Sequence, residues 1–451
     1  LSTPVSAQSE PENIQKLLSR IEQLEKRLTD QEAKNAQLES QVRTMQGGSA
    51  GQVTPPLPPP SPQAAQAPPV APIPQAAQPP QAAPAKTPGI PITAKPSVEL
   101  YGFIKLDTAY DTAQVYPGNY AVRVQQPLAG RPARDQFSIT ANATRLGLNF
   151  KTQGSGPAVT SGKLEVDLYG GGTENKPTPM MRHAYFQVEW PASGVTLLAG
   201  QTWDVISPLW MPTANYSVGW WAGNIGYRHP QVRLSKEFRL DDGNSFLLQG
   251  ALVRTMGHLT GERNTGVDAG FPTAQGRLAY SFPAGAGGKA AFGLSGHWGE
   301  EAYPAVTPGQ PDVRFRSWSA NLDMKIPMGK SVTLQGEAFT GRDLDSYLGG
   351  SNEAIRLDPK TATESAGGWL ALSIIGSPKV TWNLGASVDD PRNSELSPGA
   401  RSRNSSIFGN GYFTIAPSAQ LLAELSYWAT DYLGKPRAHA FRAQLSFQYT
   451  F

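Results

Sequence analysis

The sequence predicts an all-β transmembrane barrel of 16 antiparallel strands, carried behind an N-terminal coiled-coil helix and a Pro-rich linker. Three observations lead there. The final segment alternates without a break, with Phe441, Ala443, Leu445, Phe447, Tyr449 and Phe451 on one face and Arg442, Gln444, Ser446, Gln448 and Thr450 on the other; a period of two over that length is a strand between two environments. From Val98 onward the chain repeats segments of this kind, separated by clusters of Gly, Pro, Asn, Asp and Ser. No run of 18 or more apolar residues occurs and the mean hydropathy is negative, which excludes a hydrophobic transmembrane helix but not a barrel, whose strands are apolar on one side only.

Residues 1–12 read as a signal-peptide remnant, Val5-Ser6-Ala7 before Gln8 having the small-residue character of a cleavage site, or as a disordered start. Residues 13–46 form the coiled-coil oligomerisation helix. Its core positions are Ile14, Leu17, Ile21, Leu24, Leu28, Gln31, Asn35, Leu38, Val42 and Met45, spaced 3-4-3-4 throughout, and Gly47-Gly48 ends the run. Polar Gln31 and Asn35 fix register, and the Ile/Leu core leans towards two strands, a lean that an attached trimer overrides; the coiled coil alone leaves dimer and trimer open. Residues 47–97 are a linker. Sixteen prolines stand between 52 and 97, with no charge from Gln52 to Ala85, so this stretch extends as a polyproline-like tether that reaches on the order of 100 Å. A passive spacer and a tether threaded through peptidoglycan both fit it.

Residues 98–451 are the barrel. The sixteen strands run near 98–110, 136–150, 162–170, 181–190, 195–201, 231–239, 244–256, 273–283, 289–299, 314–326, 331–341, 366–376, 379–388, 404–415, 419–430 and 438–451. Turns such as 191–194, 327–330 and 377–378 are tight, whereas 111–135, 202–230, 342–365 and 389–403 are long. Short turns at one end and long loops at the other is an outer-membrane layout, and an even strand count puts both barrel ends, with the coiled coil, in the periplasm. Lys163, Glu165 and Asp167 share one face of their strand while Leu164, Val166 and Leu168 share the other. A charge on the lipid face costs about 2–4 kcal/mol at mid-bilayer, so the charged faces look inward and the lumen is wet. Strands 195–201 and 244–256 do not declare their facing.

The net charge is +3, with eight Lys/Arg and seven Asp/Glu before residue 98 and 31 and 29 after it. No basic surplus of the kind nucleic acid requires exists. The chain has no cysteine, and its five histidines lack ligand spacing, so no metal site or other cofactor is expected. Gly170-Gly171-Gly172 lacks the Lys-Ser/Thr ending of a phosphate loop, and no Gly-x-Ser-x-Gly elbow occurs. An enzyme is therefore not expected.

The terminal phenylalanine, with Tyr449 before it, resembles the closing strand that the barrel-assembly machinery recognises. Leu100-Tyr101-Gly102-Phe103 in the first strand, Arg145-Leu146-Gly147-Leu148 in the second, and the long loop after the fifth resemble a general trimeric porin. The coiled coil, the linker and Leu198-Ala199-Gly200-Gln201-Thr202-Trp203 resemble more the DcaP-type porins, trimers associated with uptake of small dicarboxylic acids. The resemblance implies a homotrimer in a bilayer with lipopolysaccharide, passing small solutes. It also implies that the 202–230 loop folds inward and narrows the pore, opposing its acids to cations on the wall. This loop carries a single acid, Asp204, among Trp203, Trp210, Tyr216, Trp220, Trp221 and Tyr227, while Lys105, Arg145, Arg228 and Arg233 supply the wall. An almost unopposed basic wall favours anions, and flat aromatic surface beside arginine forks suits organic acids, mono- or dicarboxylates. By strict alternation His183 faces inward, and Arg182 reaches the lumen only through a bulge. The alternative reading is an envelope tether, with the stalk bound to peptidoglycan and the barrel as anchor.

Overall fold

The computed structural model describes residues 96–451, apart from short stretches at 128–131, 153–155, 174–175, 256, 258, 261–262, 306–308 and 358–359. The coiled-coil helix and nearly all of the linker lie outside the described residues.

Alternating polar and apolar residues produce sixteen strands. β1 (Ser97–Asp111) is followed by β2, which comes in two segments (Gln136–Thr140 and Arg145–Thr152), then β3 (Val159–Asp167), β4 (Met180–Trp190), β5 (Val195–Trp203) and β6 (Arg228–Arg239). Next come β7 (Ser245–Val253), β8 (Thr273–Pro283), β9 (Lys289–Tyr303), β10 (Val313–Met328) and β11 (Val332–Arg342). The wall ends with β12 (Glu364–Ser377), β13 (Val380–Pro391), β14 (Arg401–Ala416), β15 (Ala419–Tyr432) and β16 (Lys435–Thr450). Each pairs antiparallel with its neighbours in sequence, and β16 pairs back onto β1, with Phe103 opposite Thr450 and Asp111 opposite Arg442. The sheet is closed and has no free edge.

The second strand, expected to be continuous over 136–150, is broken. Both segments pair with β1, and between them the chain turns at Ala141, whose carbonyl accepts from the Thr144 amide. The Thr144 hydroxyl replaces the missing ladder bond by accepting from the Lys105 amide at 3.2 Å.

Facing follows the alternation. On β16 Phe441, Phe447 and Tyr449 are exposed, whereas Arg442, Gln444 and Ser446 are buried. The two strands that the sequence left open now have a facing: Leu197 on β5, and Phe246, Leu248 and Leu252 on β7, are exposed, while Leu198, Ala251 and Val253 are buried. The lumen is not lined by strands alone, because three long loops fold into it. The 112–135 loop forms a hairpin (Val115–Pro117 with Ala121–Val124) that packs Val115, Ala121 and Val124 against Trp428, Ala438 and Ala440 of the inner wall and against Ala222. The 343–363 loop contributes Leu344 and Tyr347 to a second apolar cluster with Ile206, Ile225 and Phe339.

Candidate functional site

The 204–227 loop is held inside the barrel chiefly by three buried carboxylates. At its root Asp204 accepts from His229 Nδ1 at 2.8 Å, from Gln275 Nε2 at 3.0 Å and from the Tyr227 amide at 2.9 Å. Midway, Glu337 of β11 accepts from the Leu209 amide at 2.7 Å and from Trp369 Nε1 at 3.0 Å. At the far wall, Glu424 of β15 accepts from the Ala214 amide at 2.7 Å, from the Thr213 hydroxyl and from Asn410 Nδ2. Beyond that point the Ala214 carbonyl accepts from Lys105 Nζ at 3.1 Å and Gln444 Nε2 at 2.9 Å. Asn215 closes a reciprocal pair with the Ala121 backbone of the first-loop hairpin. A polar side chain that meets an otherwise orphaned loop amide removes a cost of about 1–3 kcal/mol, so this loop is anchored along its length.

Past Asn215 the chain reaches the basic group. Tyr216 donates its hydroxyl to Asp167 at 2.8 Å; burial, with the Asp167 charge beside it, holds that hydroxyl well above its ordinary titration range, so it stays a donor. Arg182 donates through Nε to Glu165 at 2.7 Å and through Nη1 to Asp167 at 2.5 Å. Arg145 Nε lies 3.4 Å from Glu165, and Tyr101 donates to the same carboxylate at 2.7 Å. The Arg228 guanidinium stands 4.6 Å from the ring centroids of Trp203 and Tyr227 and 5.9 Å from that of Trp220. Among the described residues its three nitrogens meet no hydrogen-bond partner in good geometry, and ring faces are what compensates the buried cation. Rings extend the group: Trp210 packs edge-on to Trp203 at 4.3 Å, and Tyr120, Tyr169 and Tyr216 form a trio with centroids 3.9 to 5.2 Å apart.

The expected site residues come together only in part. Trp203, Trp220, Arg228, Arg145 and His183 are neighbours; the His183 ring meets the Thr202 hydroxyl at 3.0 Å and lies 3.8 Å from Glu165. Arg233 is half-buried and bonds to Gln231 and the Trp203 carbonyl. Three expectations change. Lys105 is paired with Asp107 at 3.0 Å beneath the loop and serves as a clasp. Asp204 meets His229 and Gln275 of the wall at the loop root instead of opposing the wall's arginines and lysines. Trp221 sits apart, its backbone bonded to Leu348 and Asn404. Nor is the wall unopposed, since Glu165 and Asp167 meet its arginines; of the cations named, Arg145, with its side chain 24% exposed, and Arg233 are partly accessible, whereas Lys105 and Arg228 are buried. Glu337 and Glu424 were not foreseen, and Arg182 is inward through the bulge on which its place in the lumen depended. Met180-Met181 followed by Arg182-His183 carries a signal for the bulge, because two apolar and then two polar residues interrupt alternation. Among the described residues, the acids with metal-ligand spacing are Glu301, Asp343 and Asp345, with oxygens within 4.8 Å of one another; Glu301 already accepts from Thr265 and Ser346.

Solved structures share this architecture. The outer membrane channel DcaP of Acinetobacter baumannii superimposes with a TM-score of 0.65 at 19% identity, over 79% of this chain and 97% of that one. The fold is that of the Gram-negative porins. An anion-selective porin from Comamonas acidovorans matches with a TM-score of 0.51 at 13% identity, over 79% of this chain and 100% of that one. Salmonella typhi OmpF in complex with daunomycin matches with a TM-score of 0.50 at 12% identity, over 78% and 97%. No family model matches the chain, and no curated protein matches it. Against this porin frame, the inward 204–227 segment is the loop that follows the fifth strand.

Proposed function

We propose that the chain is an outer-membrane diffusion porin, a homotrimer, that passes small solutes with a preference for organic anions such as mono- and dicarboxylates. The observation that supports the preference is the charge balance beside the inward loop: Arg145, Arg182 and Arg228 against Glu165 and Asp167, with indole and phenol rings around them. An excess cation in a cleft with low-dielectric walls raises the local concentration of anions, and the rings accommodate a carbon body. Binding is weak, because throughput requires release as well as entry. The N-terminal coiled coil lies in the periplasm, lipopolysaccharide surrounds the barrel, and the assembly machinery reads the strand that ends in Tyr449 and Phe451.

The test is the zero-current potential of the purified protein in a planar bilayer under a KCl gradient. An anion-selective sign that weakens in Arg145→Ala/Arg228→Ala supports the reading; an unchanged permeability ratio in that double variant rejects it. The tether reading draws on the three loops folded into the lumen. Folded barrels that conduct nothing would favour it, with residues 1–97 then carrying the function through contact with peptidoglycan.

A further inference from the structure

Strict alternation along β4 puts Arg182 on the outer face with Phe186, whose ring is exposed. The pairing with β3 breaks that alternation. Glu165 stands opposite His183 and Val166 opposite Met181, which leaves Arg182 as an additional residue without a partner position. Met181 stays outward and exposed, while Arg182 and His183 are both buried and both reach Glu165. This is a β-bulge, in which two residues of one strand oppose one of the next and a side chain is re-aimed. A single inserted residue thus adds one positive charge to the inner wall without reversing the strand on either side.

That charge meets two acids. Arg182 spans Glu165 and Asp167, which lie two residues apart on the inner face of β3, at 2.7 and 2.5 Å. Glu165 is also the acid beside Arg145. With Arg182 removed, two carboxylates would stand against Arg145 and Arg228 and the group would be neutral; with it, one positive charge remains.

We infer that Arg182, delivered to the lumen by the bulge, is the positioning residue that sets the sign of the field at the constriction: it engages Glu165 and Asp167 and leaves the partly exposed Arg145 to act on a passing anion, with the buried Arg228 adding its charge to the field. The inference deepens the porin reading and rests on it in one respect, that the lumen conducts ions.

A graded series tests it, with the full-length protein in planar bilayers under a KCl gradient. Counted over Arg145, Glu165, Asp167, Arg182 and Arg228, Arg182→Met has a formal charge of 0 and the unmodified protein +1. Arg182→Met/Glu165→Gln/Asp167→Asn has +2, and Glu165→Gln/Asp167→Asn has +3. The anion-to-cation permeability ratio is expected to rise in that order, by several fold from end to end. A purely structural role for Arg182 would move the single and triple variants the same way; a triple variant no more anion-selective than the unmodified protein overturns the inference. The near-isosteric amide variants keep the test alive where Arg182→Met fails to fold. The porin reading fails separately: a cation-selective unmodified protein whose variants still rank by charge would reject the anion preference and keep the role of Arg182.

Discussion

Asp111 and Arg442 form an ion pair across the seam between β1 and β16, with Nη1 to Oδ2 at 2.8 Å and to Oδ1 at 3.1 Å and no solvent exposure on either side chain. The same guanidinium donates to the Asn119 carbonyl at 3.3 Å, so one residue joins the first strand, the last strand and the first-loop hairpin.

Truncating one partner leaves the other charged and buried, which costs about 3–5 kcal/mol. Arg442→Ala is therefore expected to lower the temperature at which the folded barrel converts to the unfolded form on a heat-modifiability gel. Arg442→Met/Asp111→Leu should recover much of that loss. A double variant as unstable as the single one would show that the pair is not the source.

Glu424 holds the tip of the inward loop. Glu424→Ala removes acceptors for the Ala214 amide, the Thr213 hydroxyl and Asn410 Nδ2, and leaving a buried donor without a partner costs about 1–3 kcal/mol. The variant should give a larger and noisier single-channel conductance, because the tip is no longer fixed to the far wall. Unchanged conductance would place the hold on Asn215 and Lys105.

Gly223 meets the wall where a side chain has no room. Its φ is +117°, and a Cβ there would stand 2.4 Å from the Gly368 carbonyl oxygen and 2.7 Å from the Val388 amide. Gly223→Ala is expected to displace the return limb of the loop and lower folding yield and stability, by about 1–3 kcal/mol for the backbone strain alone. Protease accessibility of the 218–227 segment reports the displacement; wild-type resistance with wild-type stability would contradict it.

Trp210 is 41% exposed while it packs on Trp203. Ring contacts contribute about 0.5–1.5 kcal/mol, so Trp210→Ala should reduce benzoate permeability relative to chloride by a few fold. An equal drop for both ions would assign the ring to loop packing instead of solute contact.

The wall was legible because its signal is local. Each strand carries its own alternation, and the two environments of a barrel impose it on Lys163, Glu165 and Asp167 as on the terminal strand. The β2 break was not legible, because Thr144 replaces the ladder bond of a residue 39 positions away. The anchors of the inward loops escaped for the same reason, although the resemblance implied that the 202–230 loop folds inward: Asn215 pairs with Ala121, and Glu424 with Ala214 some 210 positions earlier.

Strand number and most of the facing follow from the sequence by itself, as do the kinds of residue in the 202–230 loop, since a period of two and a census of charged and aromatic side chains need no long-range contact; the facing of β5, β7 and Arg182 does not. Which charges remain available was decided only by the tertiary structure. The bulge in the β3–β4 pairing brought Arg182 to Glu165 and Asp167, and the inward fold of the loop laid it over Lys105 and set Asp204 against His229. Charge balance inside a closed barrel depends on which side chains come within a few ångströms of one another, and one inserted residue at a bulge changes that without disturbing the pattern around it.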